Sequence, residues 1–184
     1  MADELQGKRI AILAATGVEQ VELEQPREAV ESADAETEVL SIESGEIQAM
    51  NHDIDKGDKI PVDRLVSDAS PDDYDGLLLP GGTMNPDNLR QDEHAISFVQ
   101  EFFRTGKPVG VICHGPWTLV EADVVRGRTL TSYPSIQTDL KNAGANWVDE
   151  EVVVDRGLVT SRSPRDLDAF CSKVVEEICE GVHA

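Results

Sequence analysis

The feature that most constrains the fold is a cysteine placed between a short apolar strand and the start of a helix. It lies in residues 107–117, which read Lys-Pro-Val-Gly-Val-Ile-Cys-His-Gly-Pro-Trp. Residues 109–112 are typical of a buried parallel strand, and Gly115-Pro116 opens a helix, because proline is accepted in a first turn. The sequence therefore predicts a nucleophile elbow with Cys113 at the carboxyl edge of a sheet. The helix amino terminus favours a thiolate there; a buried structural cysteine is the alternative.

A second predicted strand ends in a pair of glycines. Residues 74–82 read Tyr-Asp-Gly-Leu-Leu-Leu-Pro-Gly-Gly. Parallel neighbours end at the same edge of a sheet, where open α/β sheets hold their sites. We therefore expect the Gly81-Gly82 backbone near Cys113, with the N–H groups of Gly82 and His114 converging on a developing oxyanion. An ordinary Pro-Gly-Gly turn is the alternative.

Two glutamates follow the first predicted strand. Glu19 and Glu22 share one face of a helix that starts near residue 18, at its positive end. A carboxyl group beside a thiol is partly desolvated and prone to hold a proton, so Glu22 could exchange one with Cys113. Glu19, on the same face, is expected among the binding residues of the site. Acids at a helix amino terminus are also stabilising without any further role.

The orientation of His114 is left open by the sequence. Adjacent residues on a helix point in different directions, so a direct hydrogen bond between Cys113 and His114 is not required. His114 could instead face a subunit boundary, where an acid from a second chain would orient it.

Strands and helices alternate along the chain. Strands are expected at 8–14, 38–42, 74–79, 109–113, 129–132, 151–155 and 158–161, and helices at 18–33, 93–103, 117–123, 135–143 and 164–180. Residues 44–63 contain short extended pieces and predict a hairpin or excursion. This order predicts one α/β domain over residues 1–184, a three-layer α/β/α sandwich around a mostly parallel sheet.

The charge balance limits the partners of the chain. It has 36 Asp and Glu residues against 16 Lys and Arg, a formal net charge of −20. Such a surface repels phosphate backbones and anionic lipids, which makes nucleic acid and membranes poor partners. No secretory leader pattern opens the chain and no long apolar run occurs. Three cysteines without a C-x-x-C spacing fit a reducing compartment, so a cytoplasmic location is expected.

Motifs for metals and nucleotides are absent from the sequence. There is no H-E-x-x-H, no cysteine cluster, no G-x-x-x-x-G-K-[ST] and no G-x-G-x-x-G. The histidines are scattered, at His52, His94, His114 and His183. Cys171 and Cys179 fall in the last helical pattern and are expected to pack as small hydrophobes. We therefore expect cysteine chemistry that uses neither a metal nor a cofactor.

Taken together, these segments resemble the ThiJ/PfpI family, within the class I glutamine amidotransferase-like superfamily. The similarity covers nearly the whole chain, through residues 11–26, 75–82, 106–115 and 127–162, and is closest to short PfpI-type members that bacteria and archaea use in stress defence. The resemblance implies a flavodoxin-like sandwich with Cys113 as nucleophile and Glu22 hydrogen-bonded to it. It also implies oxyanion amides from Gly82 and His114, and a site tyrosine at Tyr133 in the segment Thr-Ser-Tyr-Pro.

The family also implies an oligomer. Members described as peptidases complete a Cys-His-acid set across a subunit interface. The matching acid here is Asp87 in place of glutamate, in a loop over residues 83–92 that is one residue longer than usual, so a shorter acid must reach His114. A homodimer or a hexamer is expected, and the sequence does not distinguish them.

Three functions follow from the resemblance. The first is an enzyme for small reactive carbonyls, of the glyoxalase or deglycase kind, in which Cys113 adds to a 2-oxoaldehyde or its early adduct and Glu22 moves protons. The second is an intracellular cysteine peptidase that uses Cys113, His114 and Asp87. The third is a stress protein without turnover, in which Cys113 is oxidised to sulfenic or sulfinic acid.

The dense carboxylates and scarce lysines predict adaptation to a salt-rich cytoplasm. Raising KCl from about 0.1 M toward molar concentration should raise the melting temperature, because salt screens repulsion between the surface acids. Thermal unfolding followed by circular dichroism at each KCl concentration measures this. A melting temperature that falls as KCl rises contradicts the hypothesis.

Overall fold

The computed structural model describes residues 4–183, and the chain there is built on parallel strands. The strands are β1 Arg9–Leu13, β2 Glu36–Ser41, β3 Glu46–Asn51, β4 Asp55–Pro61, β5 Arg64–Leu65, β6 Gly76–Leu79, β7 Val109–Ile112, β8 Thr129–Leu130, β9 Asn146–Trp147, β10 Val153–Asp155 and β11 Leu158–Ser161. Seven of them form one sheet in the order β10-β11-β7-β6-β1-β2-β5. Its pairings are parallel except that of β10 with β11.

Helices cover both faces of this sheet. They are α1 Gln20–Ser32, α2 Met84–Leu89, α3 Glu93–Arg104, α4 Pro116–Glu121, α5 Gln137–Asn142 and α6 Leu167–Glu180. On one face α1 and α6 pack through Leu23, Phe170 and Val174. On the other, α3 and α4 pack through residues such as Phe102 and Leu119. The predicted three-layer α/β/α sandwich with a mostly parallel sheet is confirmed.

The central strands are buried along their whole length. Every residue of β6 (Gly-Leu-Leu-Leu) and of β7 (Val-Gly-Val-Ile) is buried, as expected where helices cover both faces. Gly110 in β7 has a packing reason: a Cβ there would lie 2.7 Å from Val174 Cγ2 on α6. Close contact between α6 and β7 therefore depends on glycine, and it fixes the strand that carries Cys113.

Residues 46–61 leave the sheet as a hairpin. β3 and β4 pair antiparallel, as the sequence predicted for this excursion. The hairpin returns to the main body near the start of α1, where Glu19 and Met50 form an isolated parallel bridge. Its tip, residues 52–54, therefore lies near the carboxyl edge of the sheet.

The prediction of a loop over residues 83–92 is wrong. They contain helix α2, Met84–Leu89. Its sequence, Met-Asn-Pro-Asp-Asn-Leu, holds proline and two asparagines, residues that favour turns, so local propensity hid a short helix that tertiary contacts stabilise. The short strands β5 and β9 were also missed.

Within residues 4–183, no helix has the length and apolar character that a membrane crossing requires. The longest helix, α6, has 14 residues.

Candidate active site

Cys113 stands on a sharp turn directly after β7. Its φ of +62° is in the left-handed region, which non-glycine residues adopt rarely and mostly at functional turns. The turn continues into α4 through Gly115, where a Cβ would lie 2.8 Å from the carbonyl oxygen of Leu79. Cys113 is only 6% exposed. This is the geometry of the nucleophile elbow that the sequence predicted.

Two glycines from the loop after β6 close around the cysteine. A Cβ on Gly81 would lie 2.7 Å from Cys113 Cβ, and one on Gly82 would lie 2.4 Å from the carbonyl oxygen of Gly17. Neither position accepts a side chain. The backbone N–H groups of Gly82 and His114 interact with the Cys113 sulfur and lower the pKa of its thiol. Both amides therefore lie where they can stabilise negative charge.

The Glu22 side chain reaches the site from the first turn of α1. Glu22 is 2% exposed, and its Oε2 accepts a hydrogen bond from the Gly81 N–H at 2.8 Å. Burial raises its pKa from 4.5 to about 8; the interaction with the Cys113 thiol opposes this shift, and the nearby charge of Glu19 adds to it. Within residues 4–183, Oε1 has no hydrogen-bond partner. Glu22 therefore holds a proton at neutral pH, beside the sulfur.

The expectation that the helix amino terminus favours a Cys113 thiolate is wrong for the isolated chain. The pKa of the Cys113 thiol is raised, mainly by burial, and ionisation of Glu22 would raise it further. The two amides, which favour the thiolate, do not outweigh burial. Cys113 is thus a thiol at neutral pH, and it needs a base to become a nucleophile.

His114 is the base that lies next to the thiol. Its Nδ1 is 3.3 Å from Cys113 Sγ, and its Nε2 is 3.2 Å from Ser135 Oγ. The ring stacks on Tyr133 with centroids 4.6 Å apart. Burial lowers the pKa of His114, so the imidazole is neutral near pH 7 and can accept the thiol proton. The contact that the sequence left open is thus present in the structure.

Asp87 lies apart from this group. It is exposed, in the first turn of α2, and its carboxylate makes no hydrogen bond or ion pair within residues 4–183. The other nitrogen of His114 contacts Ser135 instead of an acid. A Cys-His-acid set is therefore not assembled within the described part of one chain.

Glu19 lies close to the site, but its carboxylate binds the backbone of the β3–β4 hairpin. Its two carboxylate oxygens accept hydrogen bonds from the backbone N–H groups of His52, at 2.7 Å, and Asp53, at 3.0 Å. Both residues have positive φ, so Glu19 holds a turn of unusual conformation. Glu19 was expected in a binding role; the structure shows it binding backbone of its own chain.

Sequence reasoning missed two polar residues that border the site. The Asp53 carboxylate at the hairpin tip accepts hydrogen bonds from the backbone N–H and the hydroxyl of Thr83, at 2.7 and 2.9 Å. Ser135 contacts His114, as described above. Neither follows a motif: Asp53 reaches the loop after Gly82 only through the hairpin fold, and Ser135 is placed by a short turn after Tyr133.

A cleft of about 760 Å³ opens beside this group. Its lining includes Tyr133 and Glu19 together with His52, Arg162 and Arg165. The N–H of Tyr133 donates a 2.8 Å hydrogen bond to the carbonyl oxygen of Cys113, which places the cleft next to the elbow. Tyr133 is 40% exposed and forms part of the wall of the cleft nearest to the elbow.

One group of potential metal ligands in the structure does not follow a sequence motif. Ligand atoms of Glu177, Glu180 and His183 lie within 4.8 Å of one another at the end of α6. Glu177 Oε2 and His183 Nε2 are 3.0 Å apart, the distance of an ion pair when the histidine is protonated. This contact accounts for the group without an ion. Elsewhere on α6, Cys171 is half-buried and Cys179 exposed, and neither stands on a turn like that of Cys113.

Fold and site together define a class: an α/β protein with a cysteine nucleophile elbow flanked by a buried glutamate and a histidine. The sequence pattern of the DJ-1/PfpI family matches residues 8–177. The chain belongs to the DJ-1/PfpI family, which confirms the resemblance deduced from its motifs.

Relatives extend over almost the whole chain. An uncharacterized protein of Staphylococcus epidermidis is 44% identical over 175 residues, 93% of this chain and 98% of its own length. A Bacillus subtilis protein named "Putative cysteine protease YraA" is 42% identical over 163 residues, 89% of this chain and 94% of its own.

Solved structures have the same fold. A two-domain protein of Anabaena variabilis, with DJ-1/ThiJ/PfpI-like and ferritin-like domains, superposes with a TM-score of 0.87 at 34% identity, over 93% of this chain and 48% of that one. Schizosaccharomyces pombe DJ-1 superposes with a TM-score of 0.81 at 22% identity, over 92% of this chain and 90% of that one. At that identity the second likeness concerns the fold alone.

The proton on Glu22 should appear in the pH dependence of stability. The folded chain holds this proton up to about pH 8, whereas the unfolded chain releases it near pH 4.5, so rising pH between these values destabilises the fold. From pH 5.5 to pH 8, the wild type should lose on the order of 3 kcal/mol relative to Glu22→Gln, at about 1.4 kcal/mol per pH unit. Urea unfolding at several pH values measures the difference.

The matched control is Glu28→Gln, which removes an exposed glutamate from the same helix. Its stability should follow the wild type at each pH. Parallel pH profiles for the wild type and Glu22→Gln would show that Glu22 is ionised in the folded chain.

Proposed function

We propose that this protein is a cysteine enzyme that converts small reactive carbonyl compounds, namely 2-oxoaldehydes or their early adducts, without a cofactor. The observation that carries the proposal is the buried Glu22 carboxyl beside the Cys113 thiol, since burial raises the pKa of Glu22 to about 8. Converting a 2-oxoaldehyde to a 2-hydroxy acid needs a nucleophile that adds to the aldehyde and a group that moves protons between adjacent carbons. Cys113 and Glu22 are suited to these two tasks.

The first step is addition of sulfur to the aldehyde. As the C–S bond forms, neutral His114 takes the thiol proton through Nδ1, 3.3 Å from the sulfur. The carbonyl oxygen becomes an alkoxide near the N–H groups of Gly82 and His114, and protonated His114 then gives its proton to that oxygen. The product is a hemithioacetal on Cys113.

The second step moves hydrogen from one carbon to its neighbour. Glu22 gives its proton to the ketone oxygen and takes the proton from the carbon bonded to sulfur, which leaves an enediol. It then protonates the former ketone carbon and takes the hydroxyl proton of the carbon bonded to sulfur, which yields a thioester. Glu22 ends protonated, as it began, and a pKa near neutrality suits a group that both gives and accepts protons.

Water completes the cycle. His114 deprotonates a water molecule as it attacks the thioester, the C–S bond breaks, and the sulfur recovers its proton from His114. The sum is 2-oxoaldehyde plus water to 2-hydroxy acid. The oxidation of one carbon balances the reduction of its neighbour, so no external oxidant or reductant is needed.

Burial of the thiol supports a small substrate. Cys113 is 6% exposed, and a molecule of a few heavy atoms can reach the sulfur beside Tyr133 more readily than an extended peptide.

Peptidase activity is the second candidate, and the name of the Bacillus subtilis relative is the observation that favours it. His114 then needs an acid, and Asp87 makes no contact with it within the described part of one chain. Asp87 from another subunit would have to supply the contact, so this function requires the proposed homodimer or hexamer. A monomer in solution with full carbonyl activity would exclude it.

Methylglyoxal turnover to lactate tests the proposal. The wild type should produce lactate; Cys113→Ala should lower kcat/KM by at least about 10³-fold, because the nucleophile is lost. Glu22→Gln should lower kcat by about 10²- to 10⁴-fold, because the proton carrier is lost. Lactate formation in molar KCl, with the thiol shown to be reduced, is the measurement.

The matched controls are Asp87→Ala and Cys171→Ser, which change the candidate peptidase acid and a second thiol. Both should keep wild-type carbonyl activity. An inactive wild type, or a Glu22→Gln variant with unchanged kcat, contradicts the proposal. Loss of activity in Asp87→Ala together with peptide cleavage by the wild type would establish the peptidase.

A further inference from the structure

A second cavity, which we call a hollow, lies at the opposite end of the sheet from Cys113. It has a volume of about 390 Å³ and is formed where β7 and β11 begin, at Val109 and Leu158, and where α3 ends. An adjoining hollow of about 450 Å³ shares Phe103, Arg104, Arg128 and Arg156 with it. We call these two hollows the basic cleft. Along β7 it lies roughly 13 Å from the cysteine, at about 3.3 Å per residue.

The basic cleft concentrates positive charge on a strongly acidic chain. Of 16 Lys and Arg residues in the sequence, Arg104, Lys107, Arg126, Arg128 and Arg156 line it. On a chain of net charge −20, five cations in one place create a local region of positive potential.

Protein carboxylates neutralise only part of this charge. Lys107 Nζ donates to the carbonyl oxygens of Pro71 and Tyr74, and Arg128 donates to those of Val124 and Asp155, all neutral groups. These bonds satisfy donors without neutralising charge, although Arg128 also interacts with the nearby carboxylate of Asp155.

The carboxylates near the basic cleft are already engaged. Asp155 accepts from Arg156 at 3.0 Å, and Asp123 lies 3.9 Å from Arg126. His183 on the rim is paired with Glu177. Arg104 makes no ion pair within residues 4–183. The five cations that line the cleft thus lie near only two engaged carboxylates in the described part of the chain, those of Asp123 and Asp155.

The position of Arg156 is a second, independent observation. Arg156 and Gly157 are the two residues that connect β10 to β11, with φ of +49° and +78°. A two-residue turn of this kind favours Asn, Asp or Gly at its first position, and an arginine there is strained. The turn thus has a strained arginine where Asn, Asp or Gly would fit better. This arginine places a guanidinium beside Arg128.

We propose that the basic cleft binds a small metabolite with two or three clustered oxyanion charges, either phosphate or tricarboxylate. Guanidinium groups match both, because two parallel N–H donors fit two oxygens. The volume suits a molecule of metabolite size. The excess of cations matches a ligand of charge −2 to −3. Duplex nucleic acid is disfavoured, because the acidic surface around the cleft would repel its further phosphates.

Isothermal titration of the full chain at low salt tests this, with inorganic phosphate, pyrophosphate and citrate as probes. At least one of pyrophosphate and citrate should bind with a sub-millimolar Kd, and the tighter of the two identifies the ligand class. Arg104→Gln and Arg156→Gln, both exposed, should each weaken it at least tenfold. Cys113→Ala should bind as the wild type does, because the two sites are separate.

The matched control is Arg27→Gln, the same substitution on α1 outside the cleft, which should change Kd less than twofold. Circular dichroism confirms that each variant is folded. Absence of binding by pyrophosphate and citrate up to 10-mM-scale concentrations, or equal Kd values in the wild type and the Arg104→Gln/Arg156→Gln double variant, overturns the proposal.

Discussion

The Glu22 carboxyl lies where α1 and the loops after β6 and β7 converge, and solvent does not reach it. Burial penalises its charged form, so the group keeps its proton to about pH 8 while its Oε2 accepts the Gly81 N–H. An ionised Glu22 would raise the pKa of the Cys113 thiol further, whereas a protonated Glu22 can donate to the sulfur. In the proposed reaction this proton is the one that Glu22 transfers, and His114, 3.3 Å from the sulfur, takes the proton of the thiol.

The rest of the fold serves to bring these groups into contact. Glycines at 81, 82 and 115 let three backbone segments approach more closely than any side chain permits. Two sets of hydrogen bonds hold the β3–β4 hairpin: the Glu19 carboxylate binds the backbone of its tip, and Asp53 at the tip binds Thr83. The hairpin, although outside the main sheet, therefore borders the elbow. The two ends of β7 border different features. Its carboxyl end leads into Cys113, and its amino end lies at the basic cleft.

The sequence predicted the parts of this arrangement that rest on local patterns. Apolar runs and glycine pairs are sufficient to predict β6, β7 and the turn at Cys113. Buried parallel strands require apolar residues and tight turns favour glycine, so both can be recognised from residue type. Contacts that depend on tertiary structure do not follow any local sequence pattern, so they could not be predicted. Ser135 beside His114, Asp53 on Thr83 and helix α2 depend on segments distant in sequence, and the raised pKa of Cys113 depends on burial that no local pattern reports.

The most direct test of this account is infrared difference spectroscopy of the wild type against Glu22→Gln between about pH 6 and pH 9, which spans the Glu22 pKa. A protonated carboxyl has its own C=O stretching band, distinct from that of the many ionised surface acids. We predict that this band is present in the wild type at neutral pH, is lost as the pH rises through about 8, and is absent from Glu22→Gln at every pH. Absence of this band from the wild type at neutral pH would mean that Glu22 is ionised, and would contradict the central claim.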